Sequence, residues 1–293
     1  MPARKTPTSA PKQLIRFDWA IKRILRNKAD YGILEGFLSE LFKDDIKIKE
    51  ILESEGNQEF PENKFNRVDI LVKNKKNELL LIEIQNDSEA DYWYRMQFGV
   101  YKTITDRIKL GKKYKTMPKV YSINIVYFDI GHGEDYVYRG KTEFKGLHKD
   151  DLLELSDRQK KFLGKENVSE TFPEYFLLKI NAFDNKTKDR LDEWIYYLKN
   201  DEVLSSFRAK GLAEVRKKLQ LDNMPPEERK KYEYRIDRNV FDESIIETAR
   251  MEGEFAGEAR KAQEIAHAMK LEGIPVAVIS KTTGLSKTEI DSI

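Results

Sequence analysis

The chain has 293 residues, with 53 basic and 51 acidic side chains, a formal net charge of +2 and no cysteine. The lack of cysteine excludes disulfides, thiol catalysis, iron–sulfur clusters and most structural zinc sites. The three histidines, His132, His148 and His267, include no pair at metal-ligand spacing, and no apolar run is long enough to span a bilayer. No apolar segment typical of a secretory signal lies near Met1. We therefore expect an intracellular, cytoplasmic protein without a membrane segment.

The small net charge hides strong local segregation. Residues 1–28 carry eight basic side chains and one acid, residues 29–62 carry ten acids and three lysines, and residues 92–119 carry eight basic side chains and one acid. Basic blocks that contain aromatics suit nucleic acid, because Lys and Arg displace counterions from phosphates and aromatic rings stack on bases. Pairing of these charges with the acidic block is the alternative, and composition leaves both interpretations open.

The first elements in chain order are a leader and two helices. Residues 1–13 contain three prolines and no apolar periodicity, which predicts a disordered basic leader. Phe17, Ile21, Ile24 and Leu25 share one face of a predicted helix. Asp30 is the predicted cap of a second helix, whose buried face has apolar side chains at three- and four-residue steps: Ile33, Leu34, Phe37, Leu38 and Leu41.

The period then changes to that of strands. Ile46, Ile48 and Ile51 indicate a half-exposed strand, residues 68–72 and 79–85 predict two more, and residues 73–77 form the loop between these two. A long helix is predicted from Asp87 or Ser88 to about Leu110, followed by a fourth strand at 120–128. The apolar positions of that helix are Trp93, Met96, Val100, Ile104 and Ile108. This element order predicts an α/β fold with a mixed sheet flanked by helices.

The pattern is weaker after Gly131. Residues 136–139 and 142–144 around Gly140 suggest a peripheral hairpin, and 175–180 suggest another strand. From Thr187 onward the pattern is helical. Pro225 and Pro226 open a helix for which Asp222 or Asn223 is the predicted cap, and residues 250–271 predict an exposed helix or oligomerising tail. A weak helix-turn-helix pattern occupies 274–293, with Ser286 and Glu289 spaced for a capping box.

Three polar residues occupy strand positions where burial is costly. Asp69 interrupts an apolar strand, while Glu83 and Gln85 lie two residues apart and so leave one face of the next strand. Two carboxylates brought together at one sheet edge would repel each other unless a divalent cation joined them. Mg²⁺ prefers such oxygen ligands and can activate water for phosphodiester hydrolysis. The alternative is that both acids face solvent on an amphipathic sheet, and strict alternation permits this.

These residues resemble the PD-(D/E)XK nuclease superfamily, in the variant with glutamine at the last motif position. The similarity is closest to the PD-(D/E)XK nuclease family transposases, which are related to the recombination-promoting nucleases. It covers Phe65 to Val72, Ile82 to Asn86 and Tyr92 to Lys115, and it extends from about Phe17 to Lys199. The segments Asp-Tyr-Val-Tyr at 135–138 and Leu-Asp-Glu-Trp-Ile at 191–195 belong to it. The resemblance implies a restriction-endonuclease-like core.

By this resemblance, Asp69 and Glu83 are metal ligands for Mg²⁺ or Mn²⁺, and Gln85 is the third catalytic residue. Gln85 replaces the usual lysine, and an amide can orient water but carries no charge. Either Gln85 positions the metal-bound water, or a cation such as Lys102 substitutes for the lysine. A third acid from the first helix is implied, for which Glu35, Glu40 and Asp18 are the candidates.

The residues that the sequence assigns to DNA binding are basic. Arg67 leaves the same strand face as Asp69, and either contacts a phosphate or pairs with the acidic block. Trp93, Tyr94 and Tyr101 either stack on bases or belong to the core. The other predicted phosphate contacts are Arg95, Lys102, Arg107, Lys109, Lys112, Lys113 and Lys115.

We therefore predict a Mg²⁺-dependent DNA endonuclease associated with transposition or recombination in a mobile element. The alternatives are a DNA-binding protein of the same fold that cuts weakly or not at all, and a regulatory protein that acts through its helical tail. The predicted domains are a leader (1–13), a nuclease core (14–130), an extension packed on the core (131–200) and a helical region (201–293). A homodimer would supply two cuts on two strands, although no interface is evident in the sequence.

Overall fold

The computed structural model describes residues 14–16, 31–54, 70–86, 88–107 and 113–293. The chain divides into two compact units, and the boundary lies between Met224 and Pro225. The predicted leader and the predicted helix containing Phe17 and Ile21 lie outside the described residues. The predicted helical region starts at residue 201, so its first part belongs to the first compact unit.

Helix α1 (Gly32–Phe42) follows directly from its apolar spacing. Its five predicted core side chains are all buried, which confirms the predicted face: Ile33, Leu34, Phe37, Leu38 and Leu41. The N-cap is Tyr31, without a side-chain hydrogen bond, and the predicted cap Asp30 lies outside the described residues. Lys43 ends the helix in the left-handed conformation, with φ of 52°.

In the described part of the chain, six strands form one mixed sheet in the order β1-β2-β3-β4-β6-β5. Strands β1, β2 and β3 are antiparallel neighbours, β3, β4 and β6 run parallel, and β5 is antiparallel to β6. This confirms the predicted mixed α/β sheet. The strands are β1 (Ile48–Ser54), β2 (Ile70–Asn74), β3 (Leu79–Gln85), β4 (Val120–Val126), β5 (Val137–Gly140) and β6 (Glu174–Lys179).

Strands β2 and β3 form the predicted hairpin, and β3 has the predicted bounds. Strand β2 continues to Asn74, so the turn is shorter than the predicted 73–77 loop. Asn77 has a positive φ of 61°, a conformation that asparagine tolerates better than most residues. The ladder pairs Leu71 with Leu81 and Ile70 with Ile82, so these pairs lie on opposite faces of the sheet.

Helix α2 (Tyr92–Thr105) connects the parallel strands β3 and β4 and covers one face of the sheet. Its Val100 packs with Leu71, Leu81 and Val120. The predicted start and one core residue were wrong: the N-cap is Asp91, and Trp93 is 48% exposed, whereas its neighbour Tyr92 is fully buried. Packing decides which of the two aromatic rings is buried, because the Tyr92 hydroxyl donates to Asn124 of β4 and its ring packs on Phe128.

Helix α1 covers the opposite face. The Phe42 ring packs on Tyr121 and Phe176 with centroid distances of 4.8 and 5.0 Å. Tyr121 alternates with Val120, which contacts the α2 side, so α1 and α2 lie on different faces. The described residues of this unit form three further α-helices: α3 (Asp157–Leu163), α4 (Arg190–Asn200) and α5 (Leu212–Lys218).

The predicted hairpin around Gly140 was wrong. Residues 137–140 form β5, which pairs with β6 rather than with 142–144. Strand β6 confirms the predicted strand at 175–180, shifted by one residue. It offers β5 a partner with buried Phe176 and Leu178, and such non-local pairing cannot be read from local sequence.

The second unit contains three helices, α6 (Pro226–Leu271), α7 (Val276–Thr283) and α8 (Lys287–Ser292). Pro225 is the N-cap of α6, so the predicted caps Asp222 and Asn223 were wrong. The predicted capping box of Ser286 and Glu289 is confirmed at the start of α8. Ala266, Ile279 and Ile290 form a small core among these helices. None of the described helices combines the length and the apolar character needed to cross a membrane.

Candidate functional site

Glu83 is a buried carboxylate at the end of β3. The side chains of Leu79, Leu81, Glu83 and Gln85 alternate onto the face that α2 covers. Glu83 is only 4% exposed, so a solvent-facing position is excluded for this acid. Because burying a carboxylate is costly without compensating charge or hydrogen bonds, its neighbours decide what the site can do.

Arg95 of α2 supplies positive charge next to this carboxylate. Its Nε lies 3.6 Å from Glu83 Oε2, and its guanidinium also forms a hydrogen-bonded ion pair with Glu89. Burial by itself would lower the pKa of Arg95, but the Glu89 hydrogen bond and the charges of Glu83 and Glu89 outweigh it, so the pKa is raised. Arg95 is therefore a permanent cation between two carboxylates.

Gln85 also forms a hydrogen bond with Glu89. Its Nε2 donates to Glu89 Oε1 over 2.8 Å. Glu89 thus accepts hydrogen bonds from both Gln85 and Arg95. The described site is a polar cluster of Glu83, Gln85, Glu89 and Arg95 at the carboxyl end of β3.

The surroundings of Glu83 are closely packed. A Cβ at Gly99 would lie 3.4 Å from Glu83 Oε1, which places this part of α2 within van der Waals distance of the carboxylate. Asn124 is the β4 neighbour of Glu83, and its Oδ1 accepts a 3.2 Å hydrogen bond from the Tyr92 hydroxyl. Asn124 Nδ2 donates to Ser122 Oγ over 2.9 Å. These hydrogen bonds hold the Asn124 side chain in place on the strand next to Glu83.

Five of the predicted site residues fall outside the described part of the chain. They are Asp18, Arg67, Asp69, Lys109 and Lys112. The last described pair on the β2–β3 ladder is Ile70 with Ile82. Their neighbours in sequence are Asp69 and Glu83.

The structure does not bring Glu35 or Glu40 to Glu83. Glu35 accepts a 2.9 Å hydrogen bond from the Ile48 backbone N–H and pairs with Lys47 at 2.9 Å, and Glu40 accepts from the Lys210 backbone N–H at 2.9 Å. Both acids belong to α1, on the opposite face of the sheet. Among the described acids, Glu89 shares Arg95 with Glu83. Sequence reasoning missed Glu89 because no motif marks it as a site residue.

The predicted basic residues are spread along α2 and beyond. Lys102 pairs with Asp106 at 3.2 Å, one helical turn away, rather than with Glu83. Arg107 and Lys115 line a cavity of about 1150 Å³ beside Leu79, at the other end of β3. Lys113 is exposed, as are Tyr94 and Tyr101, which are 75% and 55% exposed, so neither tyrosine belongs to the core. Only Arg95 of the predicted basic set contacts the Glu83 cluster among the described residues.

The donor chemistry of the cluster fits a hard divalent cation. Glu83 and Glu89 offer carboxylate oxygens and Gln85 offers an amide oxygen, the ligand types that Mg²⁺ and Mn²⁺ prefer. Within the described ranges, no three acids or histidines converge closely enough to hold a metal ion. A Mg²⁺ site usually needs only one or two carboxylates with water and phosphate, so Glu83 suits the role of one such ligand.

Comparison with known proteins identifies a family. The family model for PD-(D/E)XK nuclease family transposases matches residues 15–249, about four fifths of the chain. The matched region contains the whole described sheet and the Glu83 cluster. No curated protein and no solved structure matches the chain.

Proposed function

The chain belongs to the PD-(D/E)XK nuclease family transposases, and from this membership we propose that it is a metal-dependent DNA endonuclease. Its role lies in transposition or recombination, with DNA as substrate, in the cytoplasm. The observation that carries the proposal is the buried carboxylate of Glu83 beside Gln85, at the strand end where the family motif lies. Family membership supports the nuclease class, and the site supports the metal-dependent chemistry.

Asp69 and Glu83 are the proposed metal ligands. Ile70 pairs with Ile82 at the last described position of an antiparallel ladder. Continuing that ladder by one residue would pair Asp69 with Glu83 on the face that carries Leu71 and Leu81. Such a pair needs a shared cation to offset the repulsion between its charges. Bound there, Mg²⁺ or Mn²⁺ would supply a water of lowered pKa and a counter-charge for the phosphate.

The proposed roles of the other cluster residues follow from their contacts. Gln85 Nε2 donates to Glu89, which leaves the Oε1 atom of Gln85 as the amide's acceptor for a hydrogen bond from the attacking water. Arg95 replaces the missing motif lysine as the nearby cation, because Lys102 is paired with Asp106. Its guanidinium can hydrogen-bond phosphate oxygens and stabilise the charge that develops during hydrolysis. The attacking water loses a proton to solvent as its oxygen bonds to phosphorus, and the bond to the bridging ester oxygen breaks as that oxygen takes up a proton.

Plasmid cleavage tests this function. Purified protein should nick or linearise supercoiled plasmid with Mg²⁺ or Mn²⁺, and EDTA should stop the reaction. Asp69→Ala and Glu83→Ala should abolish cleavage while the circular dichroism spectrum stays unchanged. Linear product formed without a nicked intermediate would indicate a homodimer that cuts both strands.

Two results would contradict the proposal. DNA binding without cleavage under any divalent cation would support an inactive DNA-binding protein. Absence of any salt-dependent DNA affinity would support a regulatory protein, since a phosphate-binding surface loses affinity steeply between about 50 and 200 mM salt.

A further inference from the structure

A large basic groove lies at the end of the sheet remote from Glu83. Its walls are the β2–β3 turn, residues 114–119 and residues 162–171, and its volume is about 1150 Å³. The cations that define this groove are Lys73, Lys76, Arg107, Lys115, Lys119 and Lys165. Leu79 also lines it, and Glu83 is four residues further along β3, or ~13 Å at the rise of a strand.

The groove's two acids offset only part of its positive charge, and their charges act on Lys76 and Lys119. Glu78 accepts a 2.7 Å hydrogen bond from Asn74, and Glu170 accepts from the Asn167 backbone N–H at 3.1 Å. Both carboxylates are thus engaged in local turns. The lining therefore has six basic and two acidic side chains.

Four of the six cations have structural partners, and one of them is Arg107, which donates to the Thr103 carbonyl at 3.4 Å. Lys73 lies 3.3 Å from Glu50, and Lys76 pairs with Asp44. Burial lowers the pKa of Lys119, whose ammonium donates to the Phe172 carbonyl at 2.6 Å and lies 3.6 Å from Glu174 Oε2. Because these lysines already have partners, they are poor candidates for contacts with a bound ligand.

Lys115 and Lys165 differ from these four. Neither forms an ion pair with any residue in the described part of the chain. Instead, Lys115 Nζ lies 4.6 Å from the centroid of the Phe162 ring. Both ammonium groups line an open cavity, where a bound anion would be attracted by both charges.

Aromatic rings stand exposed at the same place. Tyr114 lines the groove with 87% of its surface exposed, and Phe162 lines it with 64% exposed. Large exposed rings next to cations match the composition of sites for unpaired nucleic acid, in which bases stack and Lys or Arg follow the backbone. A duplex keeps its bases stacked on each other, so its bases offer no free face to these rings.

We propose that the basic groove binds single-stranded DNA that flanks the cleavage site. Lys115 and Lys165 contact phosphates, and Tyr114 and Phe162 stack on bases. The groove exceeds the roughly 300–1,000 Å³ of small-molecule pockets, which favours an extended ligand. The ~13 Å along β3 keeps the groove within a few nucleotides of Glu83. This inference rests on the proposed function, because it takes the substrate to be DNA.

Fluorescence anisotropy with a labelled mixed-sequence oligonucleotide, in EDTA to prevent cleavage, tests the groove in the full-length protein. The Lys115→Gln/Lys165→Gln double variant should weaken binding and reduce the slope of log affinity against log salt by about 1.4. Phe162→Ala should weaken binding between about 5- and 150-fold at an unchanged slope. The matched control is Lys141→Gln/Lys149→Gln, at two exposed lysines outside the groove, which should bind as the wild type.

The outcomes separate this inference from the proposed function. Unchanged affinity and slope in the groove variants would overturn the inference, and so would equally tight binding of a duplex of the same sequence that these variants weaken equally. If Glu83→Ala stops cleavage while the groove variants still bind normally, the endonuclease proposal is supported and the groove proposal is wrong. If the groove variants lose oligonucleotide binding but the wild-type protein does not cut DNA, the groove proposal is supported and the endonuclease proposal is wrong.

Discussion

Arg95 of helix α2 lies beside Glu83 of strand β3, with Arg95 Nε 3.6 Å from Glu83 Oε2. The same guanidinium binds Glu89, which in turn holds Gln85. One cation therefore connects the buried carboxylate with the residue at the motif's lysine position. The arrangement supplies positive charge at the site without a lysine on the strand.

Replacing Arg95 should reduce cleavage more than binding. Arg95→Gln removes the only cation that contacts the cluster within the described residues, and we expect cleavage to slow by about 10²–10³-fold, the usual effect of losing one electrostatic donor. Arg95→Lys should recover part of the rate, because it keeps charge but loses the two-armed contact. Initial rates of plasmid nicking at saturating Mg²⁺ measure both. Arg158→Gln, at an exposed helical position, is the control, and equal rates for Arg95→Gln and wild type would refute the role.

Metal binding should raise thermal stability through Glu83. A ligand that binds only the folded state adds ~2.7 kcal/mol when its concentration is 100 times its Kd. We therefore expect the melting temperature to rise with Mg²⁺ in the wild type and to stay constant in Glu83→Gln. Differential scanning fluorimetry with a Mg²⁺ titration measures the shift. Glu50→Gln, at a partly exposed acid of β1, should keep the wild-type response, and a full response in Glu83→Gln would contradict the proposed role of Glu83 as a metal ligand.

Two glycines should respond oppositely to alanine. A Cβ at Gly36 in α1 would lie 2.3 Å from the Lys210 carbonyl oxygen and 2.7 Å from Gly211 Cα, so Gly36→Ala should cost about 1–3 kcal/mol. A Cβ at Gly257 in α6 would meet no atom within 4 Å, so Gly257→Ala should gain about 0.5–1 kcal/mol from helix propensity. Denaturant unfolding followed by circular dichroism measures both. A neutral Gly36→Ala would show that α1 does not approach Lys210 so closely.

Tyr175 should make the fold sensitive to alkaline pH. Burial, helped by the charge of Tyr101, raises the pKa of Tyr175 from 10.0 to about 12. Between pH 10 and 12 the unfolded chain loses this proton before the folded chain does, so stability present below pH 10 is lost as pH rises. Tyr175→Phe should flatten that loss in unfolding experiments at several pH values. Tyr94→Phe, at a 75% exposed ring, should follow the wild type, and an unchanged slope in Tyr175→Phe would contradict the prediction.

Much of the fold was predictable because its patterns are local. The apolar spacing of α1 and the alternation of β3 depend on neighbouring residues, and both elements agree with their predictions. Helix α2 was harder, since Tyr92 and Trp93 are adjacent aromatics and only packing against the sheet decides which one is buried. The pairing of β5 with β6 joins segments more than thirty residues apart, and no local signal specifies it.

The candidate site divides in the same way. Alternation along one strand placed Glu83 and Gln85 on a common face, and the ordered motif identified the family. The burial of Glu83 and the contacts of Glu89 and Arg95 came only from the three-dimensional arrangement. The reason is physical: periodicity tells which side chains share a face, but which helix covers that face depends on long-range packing. That packing places Arg95 next to Glu83. It places Glu35 on the other side of the sheet, where it binds the Ile48 backbone.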